Sequence, residues 1–262
     1  MTKTFKQLYK FHLLVLVLII LSGCCFESPV EIPAGFSPAP KTGFDLQLDH
    51  TGFSLGYSYR HRQSLWASYE LTAEQLNQPQ HTRKDRFAAD PLVRKNPVQP
   101  KEYTKTGFDR GHLAPAADLS YSKAALADSF YMSNMSPQRP DCNRNLWLKL
   151  EKQVRSWAKN KQRIWVVTGP LFCEPSPKMG KTDIPVPAAF YKVLLAPGYP
   201  AEMIGFIVPN SGSDRPLKSF ACPVDDVEKA SGLDFFSDLA DPVENQLESQ
   251  VVLRGWFGDL IN

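Results

Sequence analysis

The amino-acid sequence predicts an α+β fold: a central antiparallel β-sheet flanked by helices, in one domain over residues 46–262. Three observations predict it. Two aromatic-rich runs near the start alternate with period two, and later apolar runs of strand length end at turn residues. Between them lies a segment whose apolar residues recur at helical spacing.

In chain order, Phe53 to Tyr59 and Leu65 to Leu71 read as two antiparallel strands, because residues two apart share a sheet face. Thr72-Ala73-Glu74-Gln75 has the spacing of a capped helical turn. Residues 78–106, rich in proline and charge, read as a long loop, and loops of that length inside a compact domain usually serve function. Ser122 to Phe130 reads as a short helix. Asn143 to Asn160 reads as a longer one, striped by Leu146, Leu150, Val154 and Trp157. Arg163 to Thr168 is a buried-strand run ended by Gly169-Pro170, and strands follow around Ala189 to Leu195 and Met203 to Val208. Val224 to Ala230 reads as a helix with Gly232 just past its end.

The N-terminus is different in kind. Lys3, Lys6 and Lys10 precede an apolar run from Phe11 to Leu21, shorter than the roughly 20 residues that a helix needs to cross a bilayer. A basic segment, a short apolar segment and the exit Leu21-Ser22-Gly23-Cys24 describe an export signal over residues 1–23. The exit resembles the lipobox of bacterial lipoproteins, which implies a lipid anchor on Cys24. Cys25 follows instead of an aspartate, so the expected destination in a two-membrane cell is the outer membrane, facing the periplasm or the cell surface. Residues 24–45, with Pro29, Pro33, Pro38 and Pro40, read as a tether.

The formal net charge is +3 and falls to zero once Lys3, Lys6 and Lys10 leave with the signal. That neutrality hides an asymmetry. From His81 to Trp165 there are 17 basic against 8 acidic residues, and from Ala201 to Asn262 there are 4 against 11. Such a split suits one face for an anionic partner and another turned away from it. Cys173 and Cys222 form the expected disulfide, and Cys142 a buried thiol.

The stretch richest in chemistry runs from Gly107 to Glu151. It reads Gly107-Phe108-Asp109-Arg110-Gly111-His112-Leu113-Ala114-Pro115, then Ser133-Asn134-Met135-Ser136-Pro137-Gln138, then Asn143-Arg144-Asn145-Leu146-Trp147-Leu148-Lys149-Leu150-Glu151. Here the chain resembles the DNA/RNA non-specific endonucleases, the ββα-metal or His-Me finger nucleases of the endonuclease G type. Asp-Arg-Gly-His is their signature, and the Asn-x-x-Pro-Gln segment and the Asn followed eight residues later by Glu also match. The resemblance extends over roughly residues 46–240, through Trp66 to Glu74, Val167-Thr168-Gly169-Pro170, Tyr191-Lys192-Val193 and Gly232 to Phe236.

The resemblance implies a ββα-metal catalytic element on the sheet. It implies hydrolysis of DNA and/or RNA without sugar or sequence preference, leaving 5′-phosphates. The implied cofactor is Mg²⁺, with Mn²⁺ able to substitute. A neutral imidazole titrates near pH 6.5, which suits His112 as general base. Asn143 matches the one direct protein ligand of the metal; an amide oxygen suits Mg²⁺ and adds no charge to repel phosphate. Asn143 would equally suit a helix cap. Glu151 lies about 12 Å along the helix and about 80° around it, so it would act on the ion through water. Its competing role is an ion pair with Arg155 one turn on. Arg110 would stabilise phosphate charge, Asn134 would orient His112 or the transition state, and Asp109 would either steady the imidazole or Arg110 or play a structural part. Arg83, Arg86 and Arg144 are the expected substrate contacts, the first two not separable by sequence.

Two other readings remain to be weighed. A zinc or serine hydrolase lacks support: His50, His61, His81 and His112 are not paired at zinc spacing, and no Gly-x-Ser-x-Gly occurs. A catalytically inactive, lipid-tethered nucleic-acid-binding protein would keep the fold and lose cleavage. Whether the chain acts as monomer or homodimer is left open.

Overall fold

The computed structural model describes residues 30–258; the expected export signal and the lipid-bearing Cys24 lie outside the described residues. The strands are β1 (Leu46–His50), β2 (Phe53–Ser58), β3 (Gln63–Thr72), β4 (Asp109–His112), β5 (Met135–Gln138), β6 (Arg163–Leu171), β7 (Ala189–Ala196), β8 (Glu202–Pro209) and β9 (Ala221–Cys222). Seven of them form one antiparallel sheet in the order β1-β2-β3-β6-β7-β8-β9, and β4 pairs with β5 in a separate two-stranded ribbon. The helices are α1 (Ala73–Asn77), α2 (Lys123–Asp128), α3 (Leu148–Lys161), α4 (Val224–Ser231), α5 (Asp241–Glu248) and α6 (Leu253–Phe257). The expected α+β architecture is therefore present.

Because β3 and β6 are neighbours, everything between them is an excursion from the sheet that returns to it. The excursion contains α1, the long loop, β4, α2, β5 and α3. Alternation along the central strands builds two cores. Ile164 and Val166 of β6, with Phe190 and Leu194 of β7, pack against Leu150, Val154, Trp157 and Ala158 of α3. Trp165 and Val167, with Tyr191, Val193 and Leu195, face α4, α5 and the Leu233–Phe236 segment on the other side. The ribbon and α3 thus share one face of the sheet, and α4 and α5 the opposite one.

Several sequence expectations need correction. The helix read from Asn143 opens with one wide π-helical turn, Cys142–Trp147, before α3, and Asp141 stands at its N-cap position without a side-chain bond. Asn143 is therefore inside the first turn and does not cap it. β6 continues through Gly169-Pro170 to Leu171, because both stay in register with Tyr191 and Phe190 of β7. From residue 30, the stretch read as a tether lies on the domain: Val30, Ile32, Phe36, Ala39 and Phe44 pack into the α4 side. Its apolar residues outweigh its prolines.

Cys142, Cys173 and Cys222 are all free thiols, so the expected disulfide is not formed. The topology explains why. Leu171 pairs across β7 with the end of β8, whereas Cys222 sits beside Gly205, four residues further back along β8. Three strand spacings of about 4.8 Å and a four-residue offset far exceed the roughly 7 Å that a disulfide spans between Cα atoms.

The strand needs glycine at 169, because a β-carbon there would overlap the Leu65 carbonyl oxygen and the Tyr191 ring. Backbone cannot yield as a flexible side chain can. Gly169→Ala should therefore cost at least about 2 kcal/mol in urea unfolding, with a lower midpoint and an unchanged slope. A midpoint equal to that of the wild type would contradict the close approach.

Candidate active site

The ribbon brings the motif residues together. Asp109 pairs with Gln138, Arg110 with Pro137, Gly111 with Ser136 and His112 with Met135. Gly111 is needed at its position, since a β-carbon would run into the Gln138 side chain. β4 then ends at His112, and the chain is fixed immediately beyond it. The Leu113 amide donates to the Asn134 carbonyl at 3.0 Å, and the Ala114 amide donates to Asn134 Oδ1 at 2.9 Å. Asn134 Nδ2 donates to the Ala114 and Ser129 carbonyls, both at 2.9 Å.

Asn134 is fully buried, and its amide is spent on backbone. It touches neither the imidazole nor the cleft. Its bonds fix the backbone just beyond His112, at Leu113 and Ala114.

Arg83, Arg110, His112, Asn143, Arg144, Glu151 and Arg155 line one cleft of about 280 Å³. The imidazole stands between two phenyl rings, edge-on to Phe130 at 5.2 Å and tilted against Phe87 at 5.9 Å. Its Nε2 is buried without a hydrogen-bond partner, which leaves Nδ1 as the ring nitrogen open to the cleft. Burial, aided by the Arg83 guanidinium and opposed by Asp85, pushes the His112 pKa down to about 3. The ring is thus neutral at physiological pH, as a proton acceptor must be.

Asp109 organises the other wall. Its Oδ2 accepts from Asn143 Nδ2 at 2.9 Å, and its two oxygens accept a two-pronged bond from Arg144 at 2.8 and 2.7 Å. These donors hold the Asp109 carboxyl below its usual range, although burial acts against them. Asp109 therefore steadies Asn143 and Arg144, not the imidazole or Arg110. Because the amide nitrogen is committed to a carboxylate, Asn143 keeps its Oδ1 free. One neutral, unengaged amide oxygen in a cleft that Glu151 also lines fits a hydrated Mg²⁺ ion. The wide π-helical turn carries both Asn143 and Arg144, and such turns are often found at functional sites.

Glu151 does not take its alternative partner. Arg155 bonds Asp118 Oδ1 instead, and Tyr69 donates to Asp118 Oδ2 at 2.9 Å. Glu151 is left facing the cleft, its carboxyl raised by burial and by Asp118, with Lys192 drawing it down. Lys192 is fully buried on β7, its Nζ 4.8 Å from the Trp147 ring centroid with no hydrogen-bond partner. Burial lowers its pKa while Glu151 holds it up. Asp118 escaped the sequence reading, which named Arg155 only as a partner for Glu151 and Lys192 only within the resemblance. A lone lysine inside the apolar run Ala189 to Leu195 was the available signal.

Arg110 donates to the Pro100 carbonyl at 2.7 Å and lies over Phe87, so its guanidinium is oriented before any ligand arrives. The two upstream arginines separate here. Arg83 lines the cleft, with its guanidinium carbon 5.3 Å from the Phe130 centroid; Arg86 lines a neighbouring cavity instead. Asp225, Glu228 and Glu248 make a separate carboxylate group on α4 and α5, across the sheet. It offers nothing cationic to a phosphate.

Comparison with known proteins gives the family. Residues 35–242 match the family described as DNA/RNA non-specific endonuclease. Mitochondrial endonuclease G of Homo sapiens is 37% identical over 202 residues, 71% of this chain and 68% of that protein. Nuclease C1 of Cunninghamella echinulata var. echinulata is 38% identical over 220 residues, 76% of this chain and 86% of its own. The crystal structure of the EndoG/EndoGI complex contains a similar chain, with a TM-score of 0.70 and 29% identity, over 76% of this chain and 89% of that one.

The buried imidazole has a thermodynamic consequence. An unfolded histidine takes up its proton near pH 6.5, whereas His112 in the folded chain does so only near pH 3. As pH falls from 7 to 5, the unfolded state gains a proton that the folded state refuses, and stability drops. The wild type should lose about 2 kcal/mol more than His112→Gln over that range, measured by urea unfolding in EDTA. Equal losses would contradict a buried neutral ring.

Proposed function

The chain belongs to the DNA/RNA non-specific endonuclease family, and we propose that it is a divalent-metal-dependent endonuclease acting on phosphodiester bonds of DNA and/or RNA. The observation that carries this reading is the single cleft lined by His112, Arg83, Arg110, Asn143 and Glu151. Hydrolysis needs a base for water, cations for phosphate charge and stabilisation of the leaving oxygen, and the three needs fall to different parts of that cleft.

His112 Nδ1 accepts the proton of the attacking water. Arg110 and Arg83 face the phosphate oxygens and neutralise the charge that grows on them. Asn143 Oδ1 would hold the metal directly and Glu151 would act on it through water, while Asp109 keeps the amide turned the right way. When bound, Mg²⁺ or Mn²⁺ supplies a Lewis acid for the phosphate and the departing 3′-oxygen. The family resemblance supports a 5′-phosphate product. These groups address phosphate and not base edges, so cleavage should be tolerant of sequence and sensitive to salt. Arg144, engaged with Asp109 at the rim, would contact the flanking backbone.

Export belongs to the same proposal. The basic start, the short apolar run and Leu21-Ser22-Gly23-Cys24 support lipid attachment at Cys24 and a working place outside the cytoplasm. Labelled palmitate fed to producing cells should enter the wild type and not Cys24→Ser; equal labelling of the two would exclude Cys24 as the anchor.

The purified chain should nick plasmid with Mg²⁺ and stop in EDTA. His112→Ala should lose about 10²–10⁴-fold in kcat with its fold intact by circular dichroism. Asn143→Ala should need a higher Mg²⁺ concentration for half-maximal rate. Plasmid shifted in a gel but left uncut by the wild type would favour an inactive nucleic-acid-binding protein.

A further inference from the structure

A cavity beside the cleft is unused by the reaction above. It measures about 550 Å³, within the roughly 300–1,000 Å³ typical of ligand sites. Its roof is the loop before β4, pinned at both ends to the segment around α2. The His81 amide donates to the Ser120 carbonyl at 2.8 Å, and Ser120 also bonds the Gln80 side chain. At the other end, the Ala88 amide donates to the Phe130 carbonyl at 3.2 Å, and the Met132 amide donates to the Ala88 carbonyl at 2.9 Å. Between those pins the loop arches clear of α2.

The cavity has two kinds of surface. Ala88, Leu126, Ala127 and Phe130 make an apolar floor, and His81, Lys84, Arg86 and Lys123 carry basic groups at its edge. None of these four side chains has an ion pair or hydrogen bond with any described residue. Several other cations are engaged: Arg62 with Glu102, Arg144 with Asp109, Arg155 with Asp118, and Arg163 with Glu70. No acidic residue lines this cavity. Three unneutralised cations around a hydrophobic recess call for a ligand with an apolar ring and more than one negative charge. Phe130 supplies the continuity, because its ring lines this cavity while standing 5.2 Å from His112 and beneath Arg83.

We propose that this cavity is a nucleotide-binding subsite that holds the unit of the substrate strand next to the scissile phosphate. The inference rests on the reading of the cleft as the seat of that phosphate. The base enters against Leu126, Ala127 and Phe130, and the backbone phosphates beyond it meet Lys84, Arg86 and Lys123. The floor offers carbon atoms and few fixed donors, so it accepts any base. Arg83 and Arg86 thereby divide the loop's work, one at the reacting phosphate and one at its neighbour.

The test is binding of a labelled single-stranded oligonucleotide to His112→Ala, followed by fluorescence anisotropy across salt concentrations. Adding Lys84→Ala, Arg86→Ala and Lys123→Ala together should raise Kd at least about tenfold and lower the log–log salt slope by about two, as expected for three lost phosphate contacts. Ala127→Trp, which fills the floor without changing charge, should raise Kd and leave the slope alone. An unchanged slope in the triple variant, or an unchanged Kd in Ala127→Trp, would overturn the subsite. Plasmid cleavage by the wild type reports separately: binding as expected without cleavage would sink the nuclease reading and leave the subsite standing.

Discussion

The Asp109 carboxylate joins the two halves of the site. It sits on the strand that ends at His112, and it holds the amide of Asn143 and the guanidinium of Arg144 on the turn that begins the long helix. Without that bond, ribbon and helix would meet only through packing, which sets a spacing but not the orientation of an amide. With it, the nitrogen of Asn143 is committed and the oxygen is left for a cation. A carboxylate near a phosphate site carries an electrostatic cost, and here Arg144 neutralises it.

The strands that pack on both faces were the most legible part of the sequence. Ile164 to Val167 is a continuous apolar run and Phe190 to Leu195 is one broken only by Lys192, and each apolar residue's side of the sheet follows from period two alone. The ribbon was not legible that way. Asp109 to His112 and Met135 to Gln138 are four residues each, one of them holding a proline, and only their pairing makes them strands. Their presence was inferred from the motif. The same limit applies to the π-helical turn, whose residues read as ordinary helix and whose widening is a tertiary effect.

Single residues divide along similar lines. The sequence marked His112, Arg110, Asn143 and Glu151, and all four line one cleft. It marked Asn134 for a polar type that the structure spends on backbone, since amides suit buried clamps as well as active sites. Arg83 and Arg86 differ only in where a pinned loop points them. Lys192 was visible as a charge inside an apolar strand, but its place beneath Glu151 depended on sheet order. The proline-rich start misled because proline count says little when Val30, Phe36 and Phe44 find a core.

The charge asymmetry in the sequence also acquires a structural meaning. The basic stretch builds the loop, ribbon and helix on one sheet face, and the acidic stretch supplies α4 and α5 on the other. The most direct test of the account follows from that division. Crystals of the His112→Ala chain grown with Mn²⁺ and an oligonucleotide should show an anomalous peak within about 2.3 Å of Asn143 Oδ1, with a phosphate between it and position 112. A manganese peak found only at Asp225, Glu228 and Glu248 across the sheet, with none beside Asn143, would contradict it.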